Sequence, residues 1–169
     1  LISYDESIKL GEILPVIGAV ELQNLAVTYN EIYVANKETE KLIRHEAEHD
    51  PLTDLLNRGS FNKLIHIYET GESPFALILV DVDVFKAVND TFGHGIGDQI
   101  LRKVASVLKK QFRNIDYVCR IGGDEFAVIM VNSASDKRCT IQKKIEEANE
   151  ELSNPTDSLP AVSLSCLLY

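Results

Sequence analysis

Six consecutive apolar residues, Phe75-Ala-Leu-Ile-Leu-Val80, run straight into the carboxylate of Asp81. A strand with one solvated face alternates apolar and polar side chains, so an unbroken apolar run reads as a strand buried on both faces. The chain must build a sheet around this segment and cover it. With 169 residues, 45% of them hydrophobic, it has the material for one packed domain.

The segments around that strand supply the sheet and its cover. Phe61, Leu64, Ile65 and Tyr68 share one face of a helix over about 60–69, and 71–74 is a turn. Gly93, Gly95 and Gly97 punctuate a loop, and Asp98 then stands at a helix start. Ile100, Leu101, Val104, Val107, Leu108 and Phe112 mark a core-facing helix. Residues 116–120 form a short strand and 125–131 its return, with Gly122-Gly123 as a tight turn that needs positive φ. Ile141, Ile145, Ala148 and Leu152 predict another helix ending near Pro155, and 159–168 a last strand. The order from Phe75 is β-α-β-β-α-β, the α+β, ferredoxin-like arrangement of an antiparallel sheet. That topology sets the hairpin turn, with Asp124 and Glu125, beside the end of the first strand, with Asp81 and Asp83.

The first 48 residues differ. Leu22, Leu25, Tyr29 and Ile32 step by three and four, a coiled-coil seam that continues through Asn36, Thr39 and Ile43 and so turns polar. A single amphipathic helix packed on its own domain is the plainer reading of the same pattern. His49–Pro51 ends the helix, because proline disfavours a helical residue before it.

Charge narrows the function. A net charge of −9, from 17 Lys+Arg and 26 Asp+Glu, repels nucleic acid, and no basic stripe compensates. An acidic chain binds a polyphosphate through metal ions. Cys119, Cys139 and Cys166 form no pairwise framework and read as free, mostly buried thiols in a reducing cytoplasm. No apolar run approaches the ~18 residues of a bilayer span, and no basic stretch precedes an apolar one, so we expect no secretory leader within these residues. The first residue is Leu, so we expect an excerpt of a longer protein, cytoplasmic here, with room for an upstream membrane anchor and sensor domain.

Carboxylates gathered in one place repel and raise each other's pKa, which a divalent cation relieves. Hard oxygen ligands at strand ends suit Mg²⁺, which takes one or two carboxylates plus phosphates and waters. The bland alternative is that such acids cap turns or face solvent.

Arg120-Ile-Gly-Gly-Asp-Glu-Phe126 carries the signature of the diguanylate cyclase (GGDEF) family. Asp50-Pro-Leu-Thr-Asp-Leu-Leu-Asn-Arg58 resembles that family's entry motif, and the segment from Asp81 to Asp98 resembles its metal and nucleotide segment. The resemblance implies a dimerising and signalling helix over 1–48 and a GGDEF domain over 49–169 that lacks a closing helix and strand. It implies joining of two GTP into cyclic di-GMP, with release of pyrophosphate, by two domains facing each other in a homodimer. Asp81 and Asp124 match side-chain metal ligands and Val82 a carbonyl ligand, for two Mg²⁺ ions per site, with Mn²⁺ as an alternative. Glu125 completes the metal site or helps activate a hydroxyl. Phe85 and Lys86 hold phosphates, Lys86 also counting with Asp124 and Glu125 as catalytic; Gly122 and Gly123 border the substrate. Asn89 and Asp98 match guanine readers, and helix capping by Asp98 is compatible with that role. Arg113 and Asp116 match an Arg-x-x-Asp product-inhibition site, with a surface ion pair as the plainer reading. His94 is read as stabilising its loop, and Asp83 is left between the site and a structural role.

The resemblance thins at the end. The family's last strand carries Ser-x-Gly, where this chain reads Ser163-Leu164-Ser165. That keeps open two other readings: a weak or inactive module that binds GTP or cyclic di-GMP and signals through the coiled coil, and a dimerisation fragment without ligand.

Overall fold

The computed structural model describes residues 13, 14, 16, 18–132, 138–154 and 157–169. The chain divides into two compact units, Leu1–Ala47 and Glu48–Tyr169.

The first unit is built on helix α1 (Val20–Glu48). Its one buried residue is Ala26, on which Leu14 and Tyr29 pack. Asn30 fixes that strap by accepting from the Leu14 N–H at 2.6 Å and donating to the Leu14 carbonyl at 2.8 Å. Of the seam, Leu22 and Tyr29 are half-buried, while Leu25, Ile32 and Ile43 are 59%, 56% and 60% exposed.

The second unit runs α2 (Arg58–Thr70), β1 (Phe75–Val82), α3 (Phe85–Phe92), α4 (His94–Gln111), β2 (Tyr117–Arg120), β3 (Glu125–Val131), α5 (Arg138–Ser153) and β4 (Leu164–Leu168). The strands form a four-stranded sheet in the order β2-β3-β1-β4, every neighbouring pair antiparallel. This is the ferredoxin-like order, with α2 preceding it and α3 inserted after β1. Ile78, Val80 and Val82 of β1 and Phe126, Val128 and Met130 of β3 join one core cluster with the apolar stripes of α4 and α5. Each such side chain contributes roughly 1.5–3 kcal/mol by leaving water. The other face is covered at β2 by Tyr68 of α2, whose ring lies 5.5 Å from Phe75 and 6.2 Å from Tyr117.

Several expectations need correction. β1 is not buried on both faces: its burial alternates, because the face at Leu77 and Leu79 is only partly covered. Gly95 and Gly97 are helical, since α4 starts at His94 and its N-cap is Gly93 at φ 82°; Asp98 is its fifth residue and caps nothing. α3 was not read at all, eight residues being too few to display a helical period. The last strand begins at Leu164 rather than 159. Of the three thiols only Cys119 is buried, and burial pushes it up to about 12; Cys139 and Cys166 are exposed. Pro155 lies outside the described residues, and α5 ends at Ser153. No helix is long and apolar enough to cross a membrane, among the described residues.

Candidate active site

Sheet register brings the acidic residues together. Asp81 on β1 faces Glu125 on β3 directly, and the Val82 N–H donates to the Asp124 carbonyl at 3.2 Å. Asp81 and Glu125 line a cleft of about 430 Å³ with Leu79, Ile121 and Ser165. Burial raises the Asp81 carboxyl above its ordinary value first, and repulsion from Asp124, Glu125 and Asp83 raises it further. That accumulation is the chemistry a divalent cation relieves. Among the described residues, no three His, Cys, Asp or Glu groups close into a cage for an ion. Asp81, Asp124 and Glu125 offer hard oxygen donors at a strand end, the kind that fits Mg²⁺ held jointly with phosphates and water.

The signature turn is held by contacts the glycines permit. Neither Gly122 nor Gly123 has positive φ, against the expectation of a primed turn. Gly122 gives the Glu125 side chain room: a Cβ there would stand 2.3 Å from Glu125 Oε2, so that side chain would have to swing away. The Ile121 and Gly122 N–H groups both donate to the Glu125 carbonyl, at 2.9 and 3.2 Å. Arg120 closes the turn by donating from Nε and Nη2 to the Gly123 carbonyl, at 3.3 and 2.8 Å. Its Nη1 reaches Asp50 Oδ1 at 2.9 Å, and Asp50 also accepts from the Thr53 N–H and hydroxyl. The two peptide planes flanking Asp124 are thus both fixed, one by Arg120 and one by Val82. Arg120 and Asp50 received no role from the sequence. The Asp-x-x-Thr spacing signals the local turn, but a partner 70 residues away leaves no mark on it.

The segment after β1 begins in strain. Val84, the N-cap of α3, sits at φ 53°, ψ 22°, a left-handed conformation that costs a β-branched residue on the order of 1–3 kcal/mol. Val84 has no side chain to cap with, so the first N–H groups of α3, at Phe85 and Lys86, keep their donors toward an outside acceptor. Phe85 is buried and the Lys86 side chain is exposed. Asp83 is tied to Ser163, whose hydroxyl donates to Asp83 Oδ2 at 2.6 Å.

Asn89 and Asp98 lie on adjacent helices. Asn89 Oδ1 is buried with no hydrogen-bond partner, and a Cβ on Gly97 would stand 2.0 Å from it. The missing side chain of Gly97 makes room for this amide beside Asp98. An orphaned buried polar atom calls for a ligand or water. His94 opens α4 and is exposed.

Arg113 and Asp116 form a separate group. Asp116 is buried and accepts from Arg113 Nη2 at 2.8 Å, Nε at 3.0 Å and the backbone N–H at 3.0 Å. Arg113 Nη2 also donates to the Val131 carbonyl at 2.9 Å, and the side chain remains 43% exposed. Both border a cleft of about 350 Å³ with Lys109 and Asn114.

The family model "Diguanylate cyclase, GGDEF domain" matches residues 47–166. The curated diguanylate cyclase DosC of Escherichia coli K12 is 34% identical over 139 residues, covering 77% of this chain and 30% of DosC. The response regulator PleD of Caulobacter vibrioides NA1000 is 43% identical over 100 residues, covering 57% of this chain and 22% of PleD. The chain thus spans under a third of the length of these relatives. Among solved structures, the coiled coil and GGDEF domain of DgcB from Caulobacter crescentus, in complex with c-di-GMP, aligns with TM-score 0.70 and 29% identity, covering 86% of this chain and 80% of that one.

Proposed function

The chain belongs to the diguanylate cyclase GGDEF-domain family, and on that premise we propose that it condenses two GTP into cyclic di-GMP with release of pyrophosphate. The observation that carries this is the register of Asp81 against Glu125 beside Asp124, with the donor-bearing start of α3 following β1. Asp81, Asp124 and the Val82 carbonyl would hold Mg²⁺, or Mn²⁺ in its place, which supplies Lewis-acid charge stabilisation on the phosphates when bound. Phe85 and Lys86 bind phosphate by backbone N–H groups and, at Lys86, by charge. Gly122 lets the Glu125 side chain fold back over the turn, where it completes the site or accepts the hydroxyl proton, and Gly123 leaves the entrance open. Asn89 and Asp98 read the guanine edge, the carboxylate accepting from N1–H and the exocyclic amine. Guanine would give Asn89 the partner it lacks.

Each domain holds one GTP, so the 3′-hydroxyl of one substrate attacks the α-phosphate of the other only when two chains face each other. The exposed Leu25, Ile32 and Ile43 of α1 support a homodimer through that helix, and a domain upstream would act by rephasing it. Arg113, oriented by Asp116 and still exposed, has free guanidinium edge for a cyclic dinucleotide and supports product inhibition.

Incubation with GTP and Mg²⁺, following cyclic di-GMP and pyrophosphate, tests the reading. Product should form and vanish in Asp124→Ala, and Arg113→Ala should turn over longer before inhibition sets in. A nucleotide-dependent rise in melting temperature without product would overturn turnover and leave a binding module.

A further inference from the structure

Val84 holds a backbone conformation that a β-branched residue disfavours, and its own packing does not keep it there, because it is 72% exposed. The neighbours must impose it. On the C-terminal side the Val84 carbonyl accepts from the Val88 N–H at 3.2 Å, which only begins the helix. On the N-terminal side Asp83 is fastened to Ser163 twice: the Asp83 N–H donates to the Ser163 carbonyl at 2.9 Å, and the Ser163 hydroxyl donates to Asp83 Oδ2 at 2.6 Å. Ser163 is itself anchored. The Asn149 side chain on α5 grips the next residue, accepting from the Leu164 N–H at 2.6 Å and donating to its carbonyl at 3.0 Å. A continuous set of hydrogen bonds therefore runs from α5 through the start of β4 to the residue before Val84.

We infer that Asp83 is a positioning residue: with Ser163 it forms a latch that holds Val84 left-handed and thereby aims the N–H groups of Phe85 and Lys86 at the nucleotide phosphates. Strand alternation would set Asp83 on the same face as Asp81, but β1 ends at Val82 and the Asp83 carboxylate commits an oxygen to Ser163. Its acceptor geometry, and not its charge, carries the role. The inference rests on the proposed function for the identity of the ligand.

The test compares Asp83→Ala, Asp83→Asn, Ser163→Ala and the Asp83→Ala/Ser163→Ala pair. Two readouts are used: steady-state kinetics with GTP and Mg²⁺, and amide resonances of residues 84–86 in the nucleotide-free chain. Asp83→Ala and Ser163→Ala should each raise KM for GTP about tenfold with a smaller change in kcat, the size expected for one part-buried hydrogen bond. The pair should lose no more than either alone, since both remove the same bond. Asp83→Asn keeps an acceptor for the serine and should recover most of the loss. The amide resonances should move alike in both alanine variants and return toward wild type in Asp83→Asn. Asp83→Asn as damaging as Asp83→Ala would overturn the latch and make Asp83 a charge-dependent ligand. Ser163→Ala with wild-type KM and resonances would overturn it too. Wild-type chain that neither binds nor turns over GTP would sink the proposed function instead, and the resonances would still decide the latch.

Discussion

Asp81 carries its proton more tightly than an ordinary carboxyl, first through burial and then through Asp124, Glu125 and Asp83. A raised carboxyl pKa means the folded chain binds more protons than the unfolded one, so stability falls as pH rises from the unfolded value through the raised one. Asp81→Asn should therefore melt above wild type at pH 7 without Mg²⁺, and yield no product. The gap should close as pH falls below the ordinary carboxyl range, where folded and unfolded chains both hold the proton, and narrow when Mg²⁺ with nucleotide stabilises the wild type. Thermal melts across pH with a product assay check both halves. Gly97 offers a second test of a single residue. Alanine there gains up to about 1 kcal/mol of helix propensity but drives a methyl into Asn89 Oδ1. KM for GTP should rise about tenfold while the melting temperature changes little, and guanine preference over adenine should weaken. The carboxylates and Asn89 were legible as residue types in a motif. That Gly122 serves space and not positive φ was not, because the signature turn is longer than a two-residue hairpin and Ile121 and Gly122 share one acceptor.

Elements are tied to one another by a few long side chains. Arg120, the last residue of β2, joins the segment after α1 to the signature turn through Asp50 and Gly123. Burial alone would raise the Asp50 carboxyl, but hydrogen bonds from Thr53 and Arg120 outweigh it and hold it below its usual value. Its stabilisation is therefore present above the unfolded carboxyl pKa and is lost as pH falls through the lowered one. Asp50→Ala should cost roughly 1.5–3 kcal/mol in urea titrations at pH 7 and progressively less toward acid. Turnover in Arg120→Ala should fall more than its stability predicts, because the peptide before Asp124 loses its restraint. Helix α4 was legible from its apolar stripe, but its start was not. Three glycines suggested a loop, and packing of Gly97 against Asn89 and Phe85 overrode that preference.

At the scale of the molecule, the proposed condensation of two GTP requires two chains. Glutamate at both Leu25 and Ile32 should convert a dimer to a monomer in sedimentation velocity and lower turnover about tenfold or more at dilute concentration, with recovery as concentration rises. Equal turnover at every dilution would remove α1 from assembly. Periodicity and turn residues, read along the chain, determined the β-α-β-β-α-β order, the two apolar stripes of α4 and α5, and the acidic residues on which the proposed chemistry depends. Those signals act over a few residues, where the period of a strand or helix is written directly. Topology already set Asp124 and Glu125 near Asp81, but tertiary structure alone decided the register that pairs Asp81 with Glu125, that Arg120 meets Asp50, that Ser163 holds Asp83 across 80 residues of chain, and that Val84 is left-handed. Each of these depends on sheet register and on the sum of distant contacts, which no local pattern records.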